Sequence, residues 1–224
     1  MATPYSLLVY DEVTSTQDLA SVALRQGPVL VVAGRQTEGR GRSQRTWESA
    51  PRAMAASFGF RPEWEIGSWP LIPLVAGLAA AAVLGGDVGL KWPNDLLLGE
   101  NKVGGILVEA SGDALVAGCG VNLWWPSPPD GVVARWDADP GSGAAVEIAT
   151  AWADQLIERL SAGPENWGRS EYLDLSATVG RRLAWEPRGE GTAVDVDDSG
   201  ALIVETTKGR DRLVAGEVRH VRTF

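Results

Sequence analysis

The sequence changes character near residue 175, and this change constrains the fold more than any other feature of the chain. Beyond it, turns that contain glycine separate five short segments whose composition favours β-strands: Arg182–Glu186, Thr192–Val196, Ala201–Glu205, Arg212–Ala215 and Val218–Val221. Short strands at this spacing are typical of a small β-barrel. We therefore predict a domain of residues 1–175, followed by a small SH3-like β-barrel over residues 176–224.

Residues 1–175 mix strand-like and helical patterns. The predicted strands are Ser6–Tyr10, Val29–Ala33, Ala53–Phe60, Val88–Trp92, Asp95–Leu98, Lys102–Glu109 and Ala114–Leu123. The predicted helices are one that has Ser15 as its N-cap and stops at Gly27, then Pro70–Leu84, Ala144–Leu160 and Glu165–Leu173. The longest apolar run, residues 71–84, is shorter than a membrane span and contains proline and glycine, so we expect a buried helix there.

A stretch rich in glycine and arginine follows the second predicted strand. Between Gly34 and Arg61 there are six arginines and two glutamates, a local net charge of +4, whereas the whole chain carries −9. Glycine lets the backbone approach a ligand closely, and guanidinium groups bind carboxylates or phosphates through paired hydrogen bonds. We interpret residues 34–47 as a loop that binds an anionic small molecule. The alternatives are a solvated surface loop or an RNA-binding segment.

Two of the chain's three lysines belong to a second motif, which comprises residues 91–95 and Lys102. Pro93 requires a turn between two predicted strands, and this turn presents Asn94 and Asp95 beside Lys91. An ammonium, an amide and a carboxylate at one strand end can position phosphates and a divalent cation. Because apolar strands flank Lys102, we expect an anion opposite it. The alternative is a hairpin whose lysine extends into solvent.

The composition excludes several classes of function. A single histidine, His220, does not suffice for a histidine-rich metal site and argues against a Ser–His–Asp triad. A single cysteine, Cys119, allows no internal disulfide and suits a reducing compartment. No export signal is visible at the N-terminus, so we predict a cytoplasmic protein. The net charge of −9 argues against binding nucleic acid over a broad surface.

Both motifs, together with three further segments, closely resemble the catalytic domain of biotin–protein ligases. The matching segments are Ser15-Thr16-Gln17, Gln36, Gly39-Arg40-Gly41-Arg42 with Arg45 and Trp47, Lys91-Trp92-Pro93-Asn94-Asp95, Lys102 with Gly105-Ile106-Leu107, and Gly118-Cys119-Gly120-Val121-Asn122. They occur in the family's order and at its spacing over residues 15–122. The resemblance implies an α+β fold with a mixed β-sheet flanked by helices, and it extends more loosely to the C-terminal barrel. Gln44 departs from the family pattern, which usually has glycine there.

The resemblance also implies roles for individual residues. The biotin-binding set is Ser15, Thr16, Gln17, Gln36, Gly39, Arg40, Gly41, Arg42, Lys102 and Gly105. The nucleotide-binding set is Arg45, Trp47, Lys91, Asn94 and Asn122, with Asp95 as a magnesium ligand. The implied catalytic residues are Lys102, Arg40, Arg42 and Asp95.

The implied activity is that of an ATP-dependent biotin–[acetyl-CoA-carboxylase] ligase, with biotin as substrate and ATP and Mg²⁺ as cofactors. Biotin is first converted to biotinyl-5′-AMP, and the biotinyl group then passes to a lysine of a biotin carboxyl carrier domain. Regulatory members of the family carry a DNA-binding module before this domain. Because the first predicted strand begins at Ser6, we expect no such module here, no DNA or membrane partner, and a monomer.

Other functions compete with this one. A lipoate- or octanoate–protein ligase of related fold also modifies carrier lysines, but Gln36 and residues 15–17 favour a polar ureido head over a plain acyl chain. A catalytically silent biotin or nucleotide sensor belongs to a different class, and the presence of Lys91, Asp95 and Lys102 argues against it. An acyltransferase that uses Cys119 is disfavoured because the cysteine lies between glycines in a predicted strand. The net charge disfavours a single-strand nucleic-acid binder.

Overall fold

The computed structural model describes residues 4–186, 189–214 and 218–220. Within these residues the larger sheet has seven strands: β1 (Ser6–Val13), β2 (Val29–Gln36), β3 (Arg52–Phe60), β4 (Val88–Lys91), β5 (Asp95–Leu98), β6 (Asn101–Ser111) and β7 (Ala114–Trp124). Their spatial order is β1-β2-β3-β7-β6-β5-β4. β1 is parallel to β2 and the other neighbouring pairs are antiparallel. The sheet is therefore mixed, which confirms the predicted fold class.

The α-helices are α1 (Thr16–Ala23), α2 (Ile72–Leu84), α3 (Ala144–Ser161) and α4 (Arg169–Asp174). Short 3₁₀ turns occur at Leu24–Gln26, Arg42–Gln44, Ile66–Leu71 and Pro164–Asn166. The single helix predicted over residues 165–173 is therefore interrupted. Gly168 divides it with φ 93°, a left-handed conformation, and a β-carbon there would lie 2.9 Å from Leu78 Cδ1. Only glycine is accommodated at this position without displacing its neighbours.

Alternating side chains of β2 divide the apolar residues into two clusters. Val29 and Val31 face α1 on one side of the sheet. Leu30 and Val32 face the larger core, which α2 and α3 cover on the other side. This separation follows from the two-residue period of a β-strand, and it leaves the α1 side free to carry a cavity beyond the end of the helix.

The segment Ile66–Leu84 is long and apolar enough to cross a membrane by length and composition alone. In the structure it is a 3₁₀ turn followed by α2, and most residues of α2 are buried between the sheet and α3. The indole Nε1 of Trp152 in α3 donates to the carbonyl of Ala76 at 3.0 Å. The segment is therefore the central core helix, in agreement with the prediction of a buried helix.

The C-terminal region forms a second sheet. Its strands are β8 (Arg182–Trp185), β9 (Gly189–Val196), β10 (Leu202–Thr206), β11 (Gly209–Leu213) and β12 (Val218–His220), in the order β11-β10-β9-β8-β12. All pairs are antiparallel. Gly189 lies in the turn that was predicted between Glu186 and Thr192, but it begins β9 instead. The described residues of this region therefore form a five-stranded antiparallel sheet, in which no strand pair joins β11 to β12. Ala215, Gly216 and Val221, included in the predicted strands and turns, lie outside the described residues.

This second sheet packs directly on the rest of the protein. Buried side chains on its strands, such as Leu183 and Val204, belong to the same apolar cluster as the larger sheet. Arg169 of α4 pairs with Asp195 of β9 at 2.7 Å. Apolar packing is thus continuous across residue 175, and the domain boundary there stays a prediction.

Lowering the pH is expected to destabilise the protein through His220. Burial, followed by the positive charges of Lys91 and Arg181, lowers the pKa of this imidazole, while Glu100 and Asp95 act in the opposite direction. The unfolded chain, with a histidine pKa of about 6.5, then binds the proton first as the pH falls. The free energy of unfolding should decrease from about pH 6.5 downwards, measured as Tm between pH 7.5 and 5.5. The same pH change should lower Tm less in His220→Gln; an equal decrease would contradict the assignment.

Candidate functional site

A cavity of about 240 Å³ lies beside the N-terminal end of α1. Residues from both sequence motifs line it, namely Thr16, Gln17, Gln36, Arg40, Gly41, Arg42, Arg45, Trp47, Lys91, Asn94, Asp95, Lys102 and Gly105. The structure therefore brings together most residues of the predicted site. Ser15, Gly39 and Asn122 are not part of the lining.

The floor of the cavity consists of small residues on three adjacent strands. Ala55 of β3, Gly120 of β7 and Gly105 of β6 lie in one cross-strand row. Ser57 and Gly118 lie in the next row, with Leu107 opposite. Side chains larger than these on the same face would occupy the volume of the cavity.

One end of the cavity carries a polar network that is shielded from solvent. Gln36 Oε1 accepts hydrogen bonds from the backbone N of Thr16 at 2.8 Å and from its Oγ1 at 3.0 Å. Because the Thr16 hydroxyl donates to Gln36, the Ser57 hydroxyl, at 2.8 Å, must donate to Thr16. In this arrangement the Gln36 amide nitrogen points away from Thr16 and can donate a hydrogen bond to a ligand. The lone pairs of the Ser57 hydroxyl can accept a hydrogen bond from a ligand. The network is thus suited to a ligand that has both a carbonyl oxygen and an N–H group.

The start of α1 differs from the prediction. Ser15 occupies the N-cap position, but its side chain makes no capping hydrogen bond. Gln36, from β2, accepts from the first helical N–H instead. Ser15 Oγ is buried and has no hydrogen-bond partner among the described residues. The residue that the sequence marks as a cap is therefore replaced in that role by a side chain that only the tertiary fold brings near.

Residues 34–36, which were predicted to belong to the glycine–arginine loop, extend β2 instead. The remaining residues of this loop, 37–47, are folded back on themselves over the cavity. Trp47 N donates to the carbonyl of Gly39 at 2.8 Å, and Gly41 N donates to that of Arg45 at 2.7 Å. A β-carbon on Gly39 would lie 2.7 Å from the Trp47 carbonyl, so glycine is required for this close approach. Within the loop, Ser43 has a positive φ of 55°. These contacts give the loop a defined conformation.

Arg40 is anchored by carboxylates that the sequence motifs do not include. Its two terminal nitrogens each lie 2.8 Å from an oxygen of Asp18, and Nη2 lies 3.1 Å from Glu109 Oε2. The hydrogen bonds that the guanidinium donates to Asp18, and then to Glu109, raise its pKa. Glu109 also accepts from Gln17 Nε2 at 2.9 Å. The loop is therefore connected to both α1 and β6.

The lysine motif meets this loop across the cavity. Arg42 Nη1 donates to Asn94 Oδ1 at 3.1 Å, and Lys102 Nζ lies 5.6 Å from the centre of the Trp47 ring. Asp95 accepts from Lys102 Nζ at 2.6 Å, and Lys91 Nζ lies 3.9 Å from its other oxygen. The anion expected opposite Lys102 is thus Asp95 itself. Both ends of the Asn94 amide are therefore held, since its Nδ2 donates to the carbonyl of Ile106.

The charge of the lining is strongly positive. Its cationic residues are Arg40, Arg42, Arg45, Lys91 and Lys102, and Asp95 is the carboxylate among the lining residues. Positive groups that converge on a partly enclosed cavity attract anions more strongly than the same groups spread over a surface. The cavity therefore has a neutral polar end at Thr16 and Gln36 and a cationic end at the lysine motif, which suits a ligand with an uncharged head and an acidic tail.

Comparison with known proteins agrees with this geometry. Residues 9–122 match the model of the biotin/lipoate A/B protein ligase family, and residues 189–221 match that of the biotin protein ligase C terminal domain. The chain belongs to the biotin/lipoate A/B protein ligase family. Its relatives include the biotin–[acetyl-CoA-carboxylase] ligases of Mycobacterium tuberculosis, 33% identical over 87% of this chain and 79% of that one, and of Paracoccus denitrificans, 31% identical over 95% and 98%.

A solved structure shows the same architecture in this family. The biotin protein ligase of Aquifex aeolicus in complex with biotin and ATP has a TM-score of 0.81 and 26% identity, and the match covers 97% of this chain and 99% of that one. Because the match covers 97% of the present chain, it includes both of its sheets. It accounts for the C-terminal region, which the sequence motifs alone did not specify.

Of two further residues named in the sequence motifs, Asn122 lies outside the cavity lining and Cys119 belongs to it. Asn122 is buried, and its Nδ2 lies 3.3 Å from the carbonyl of Val133. Its Oδ1 has no partner within the described residues. Cys119 is also buried, and burial raises the pKa of its thiol, so the thiol stays protonated. A protonated, buried thiol is a poor nucleophile, which argues further against the acyltransferase alternative.

The roles of several residues of the site were not predicted from the sequence. Ser57 was included only in a predicted strand, although the small residues of that strand indicated close packing on one face. Asp18 and Glu109 carry no local signal, because the contact of each with Arg40 joins segments distant in the chain. Gly118 and Gly120 were recognised as part of a motif, but their function as a floor depends on the strand register.

Gly120→Ala is expected to weaken ligand binding by displacing Trp47. The added β-carbon would lie 2.9 Å from the Trp47 ring atoms Cε2 and Cζ2, a distance too short for van der Waals contact. Overpacking of this kind typically costs about 1–3 kcal/mol, so we expect the dissociation constant for biotin to rise about tenfold. Isothermal titration calorimetry measures it. Gly86→Ala, where no atom lies within 4 Å of the added carbon, is the control. Unchanged affinity in Gly120→Ala would contradict this packing.

Proposed function

We propose that this chain is a biotin–protein ligase, which activates biotin with ATP to biotinyl-5′-AMP and transfers biotin to a lysine of a biotin carboxyl carrier domain. The observation that carries the proposal is one cavity with a buried polar network at one end and converging cations at the other. A ureido ring offers the carbonyl oxygen and N–H groups that Gln36 and Ser57 complement. A valerate carboxylate and a triphosphate offer the negative charge that the lysine motif and the arginines complement.

In the first step, a carboxylate oxygen of biotin forms a bond to the α-phosphorus of ATP. The bond from the α-phosphorus to the oxygen that bridges it to the β-phosphorus breaks, and pyrophosphate leaves. Both reactants are anions, so the main requirements are neutralisation of charge and alignment. We assign neutralisation to Lys102, Arg42 and Lys91, and positioning to Asn94. No covalent enzyme intermediate is needed.

In the second step, the amine of the acceptor lysine bonds to the acyl carbon, loses a proton and expels AMP. Asp95 is the carboxylate of the cavity lining, so we propose that it orients or deprotonates the amine. Lys102 and Lys91 lie close enough to Asp95 to neutralise its charge. Nucleotide phosphates that draw these lysines away would release the carboxylate for this role.

Magnesium is proposed to enter with the nucleotide. Among the described residues, no group of three or more metal-ligating side chains of the His, Cys, Asp and Glu types is present. Asp95 offers a single carboxylate, and Asn94 is already engaged by Arg42 and Ile106. These residues suit an ion held mainly by phosphate oxygens, as is usual for Mg²⁺. Bound there, magnesium would neutralise phosphate charge.

The carrier partner is proposed from the activity of the relatives, since those from Mycobacterium tuberculosis and Paracoccus denitrificans are biotin–[acetyl-CoA-carboxylase] ligases. A cytoplasmic location remains our proposal, supported by the single buried cysteine, and the monomer remains a prediction.

Isothermal titration with biotin, lipoate and octanoate, each with and without magnesium ATP, tests the proposed function. We expect binding of biotin alone and a large increase in apparent affinity when magnesium ATP is present. Mass spectrometry of a purified carrier domain after incubation should then show one biotinyl group. Preference for lipoate or octanoate would support the related ligase, and biotin binding without carrier modification would support a sensor.

A further inference from the structure

Thr178, which does not line the cavity, binds the backbone of the lysine motif. Trp92, between Lys91 and Pro93, donates its backbone N–H to Thr178 Oγ1 at 2.9 Å. Thr178 is fully buried. The Thr178 hydroxyl also lies 3.4 Å from His220 Nε2 on β12. One hydroxyl therefore joins the turn that faces the cavity to the C-terminal sheet.

A second contact holds the same tryptophan from another part of that sheet. The indole Nε1 of Trp92 donates to the carbonyl of Gly200 at 3.0 Å, in the turn between β9 and β10. Gly200 has a φ of 82°, and a β-carbon there would lie 2.8 Å from Leu74 Cδ1 of α2. The turn is thus seated against the core helix, and Trp92 is fixed at both its backbone and its ring.

The strand that leads into the turn is also held from beyond residue 174. β4 has four residues and lies at the edge of the larger sheet, where β5 is its strand neighbour. On its outer side, Leu90 N donates to the carbonyl of Leu175 at 2.8 Å, and Ala177 N donates to the carbonyl of Leu90 at 2.9 Å. A short edge strand with one neighbour is weakly positioned, so these bonds contribute much of its placement.

From these contacts we propose that Thr178 is a positioning residue for the nucleotide, through which the C-terminal sheet fixes Lys91, Asn94 and Asp95 in the cavity. This inference rests on the proposed function. The polar end of the cavity at Thr16, Gln36 and Ser57 has no hydrogen bond to Thr178 or Gly200 in the described structure. Loss of the Thr178 hydroxyl should therefore affect the phosphate-facing end and leave the biotin-facing end intact.

Steady-state biotin-dependent ATP–pyrophosphate exchange distinguishes positioning from general stability. Thr178→Val keeps the side-chain shape but leaves the buried Trp92 N–H unsatisfied, so we expect KM for ATP to rise about tenfold. The dissociation constant for biotin without nucleotide should stay within about twofold of wild type, and Thr178→Ser should restore KM. Val204→Ala is the matched control, because it removes buried methyl groups from the same sheet and keeps both groups that accept hydrogen bonds from Trp92.

The proposal is overturned if Thr178→Val leaves KM for ATP unchanged, if it weakens biotin and ATP binding equally, or if Val204→Ala raises KM for ATP as much. Failure of the proposed function has a different signature, since wild-type protein would then show no biotin-dependent exchange at all.

Hydrogen exchange of the wild-type protein tests the same link without any variant. Coupling between two sites is reciprocal, so a ligand that needs the C-terminal sheet must stabilise that sheet. Adding magnesium ATP to biotin-saturated protein should slow amide exchange in residues 91–95 and also in residues 192–204. Slowed exchange that stops at residue 175 would overturn the proposal, even if Thr178→Val does not fold.

Discussion

Lys102→Ala is expected to reduce biotin-dependent pyrophosphate exchange by about a hundredfold or more. The ammonium lies at the cationic end of the cavity, 2.6 Å from Asp95 and above the Trp47 ring. Its loss removes a positive charge where the carboxylate and the phosphate must approach each other. It also removes the nearer lysine partner of Asp95, while Lys91 lies 3.9 Å away, so the negative charge of Asp95 is less neutralised where the substrates bind.

The chain offers a matched control for this substitution. Lys208 is exposed in the turn between β10 and β11, so Lys208→Ala removes the same charge from the protein without touching the cavity. Its exchange rate should equal that of wild type. Lys102→Arg should recover only part of the activity, because a guanidinium cannot replace a compact ammonium beside Asp95. An exchange rate for Lys102→Ala near that of wild type, with Tm unchanged, would remove Lys102 from the site.

Arg40→Gly is expected to release biotinyl-5′-AMP into solvent at least about tenfold faster than wild type. Arg40 connects the glycine–arginine loop to Asp18 of α1 and Glu109 of β6. Without these hydrogen bonds the loop is attached less firmly over the cavity, and the mixed anhydride is exposed to water and to other nucleophiles. Release is measured by filtration or by trapping with hydroxylamine in the absence of a carrier domain.

Two further variants separate anchoring of the loop from direct contact with the ligand. Asp18→Asn removes one of the two charged partners of Arg40 and should reproduce part of the faster release, since the loop loses one anchor while Arg40 and Glu109 remain. Arg61→Ala removes an exposed arginine that pairs with Asp113, outside the cavity, and should release the intermediate at the wild-type rate. Equal retention of the intermediate by Arg40→Gly and wild type would exclude the proposed role of the loop.

The secondary structure was largely predictable because its signals are local. Short apolar segments bounded by turn residues located β2, β3, β6 and β7 to within a few residues, and β5 coincides with its predicted range. The errors occur where a distant contact overrides a local preference. Ser15 carries the signal of a helix cap, but Gln36 satisfies the helix N–H, and Gly168 divides a predicted helix because Leu78 packs against it.

The site was predicted in part for the same reason. The glycine–arginine and lysine motifs are continuous segments, so their chemistry is visible in the sequence. Their meeting is not visible, because it depends on the antiparallel register that places β6 and β7 beside β3. Asp18, Glu109 and Ser57 acquire their roles only through that register, and no spacing along the chain indicates them.

The sequence by itself determined the chemistry of this protein: where glycine permits a close backbone approach, where cations are concentrated, and which segments resemble a biotin–protein ligase. Only the tertiary structure decided that Asp95 is the anion opposite Lys102, that Arg40 is anchored by two carboxylates, and that Thr178 holds the backbone of Trp92. The physical reason is distance. Propensity and periodicity act over a few residues, whereas these hydrogen bonds, apart from the hairpin pair of Asp95 and Lys102, join residues that are distant in the chain and are brought together only by the tertiary fold.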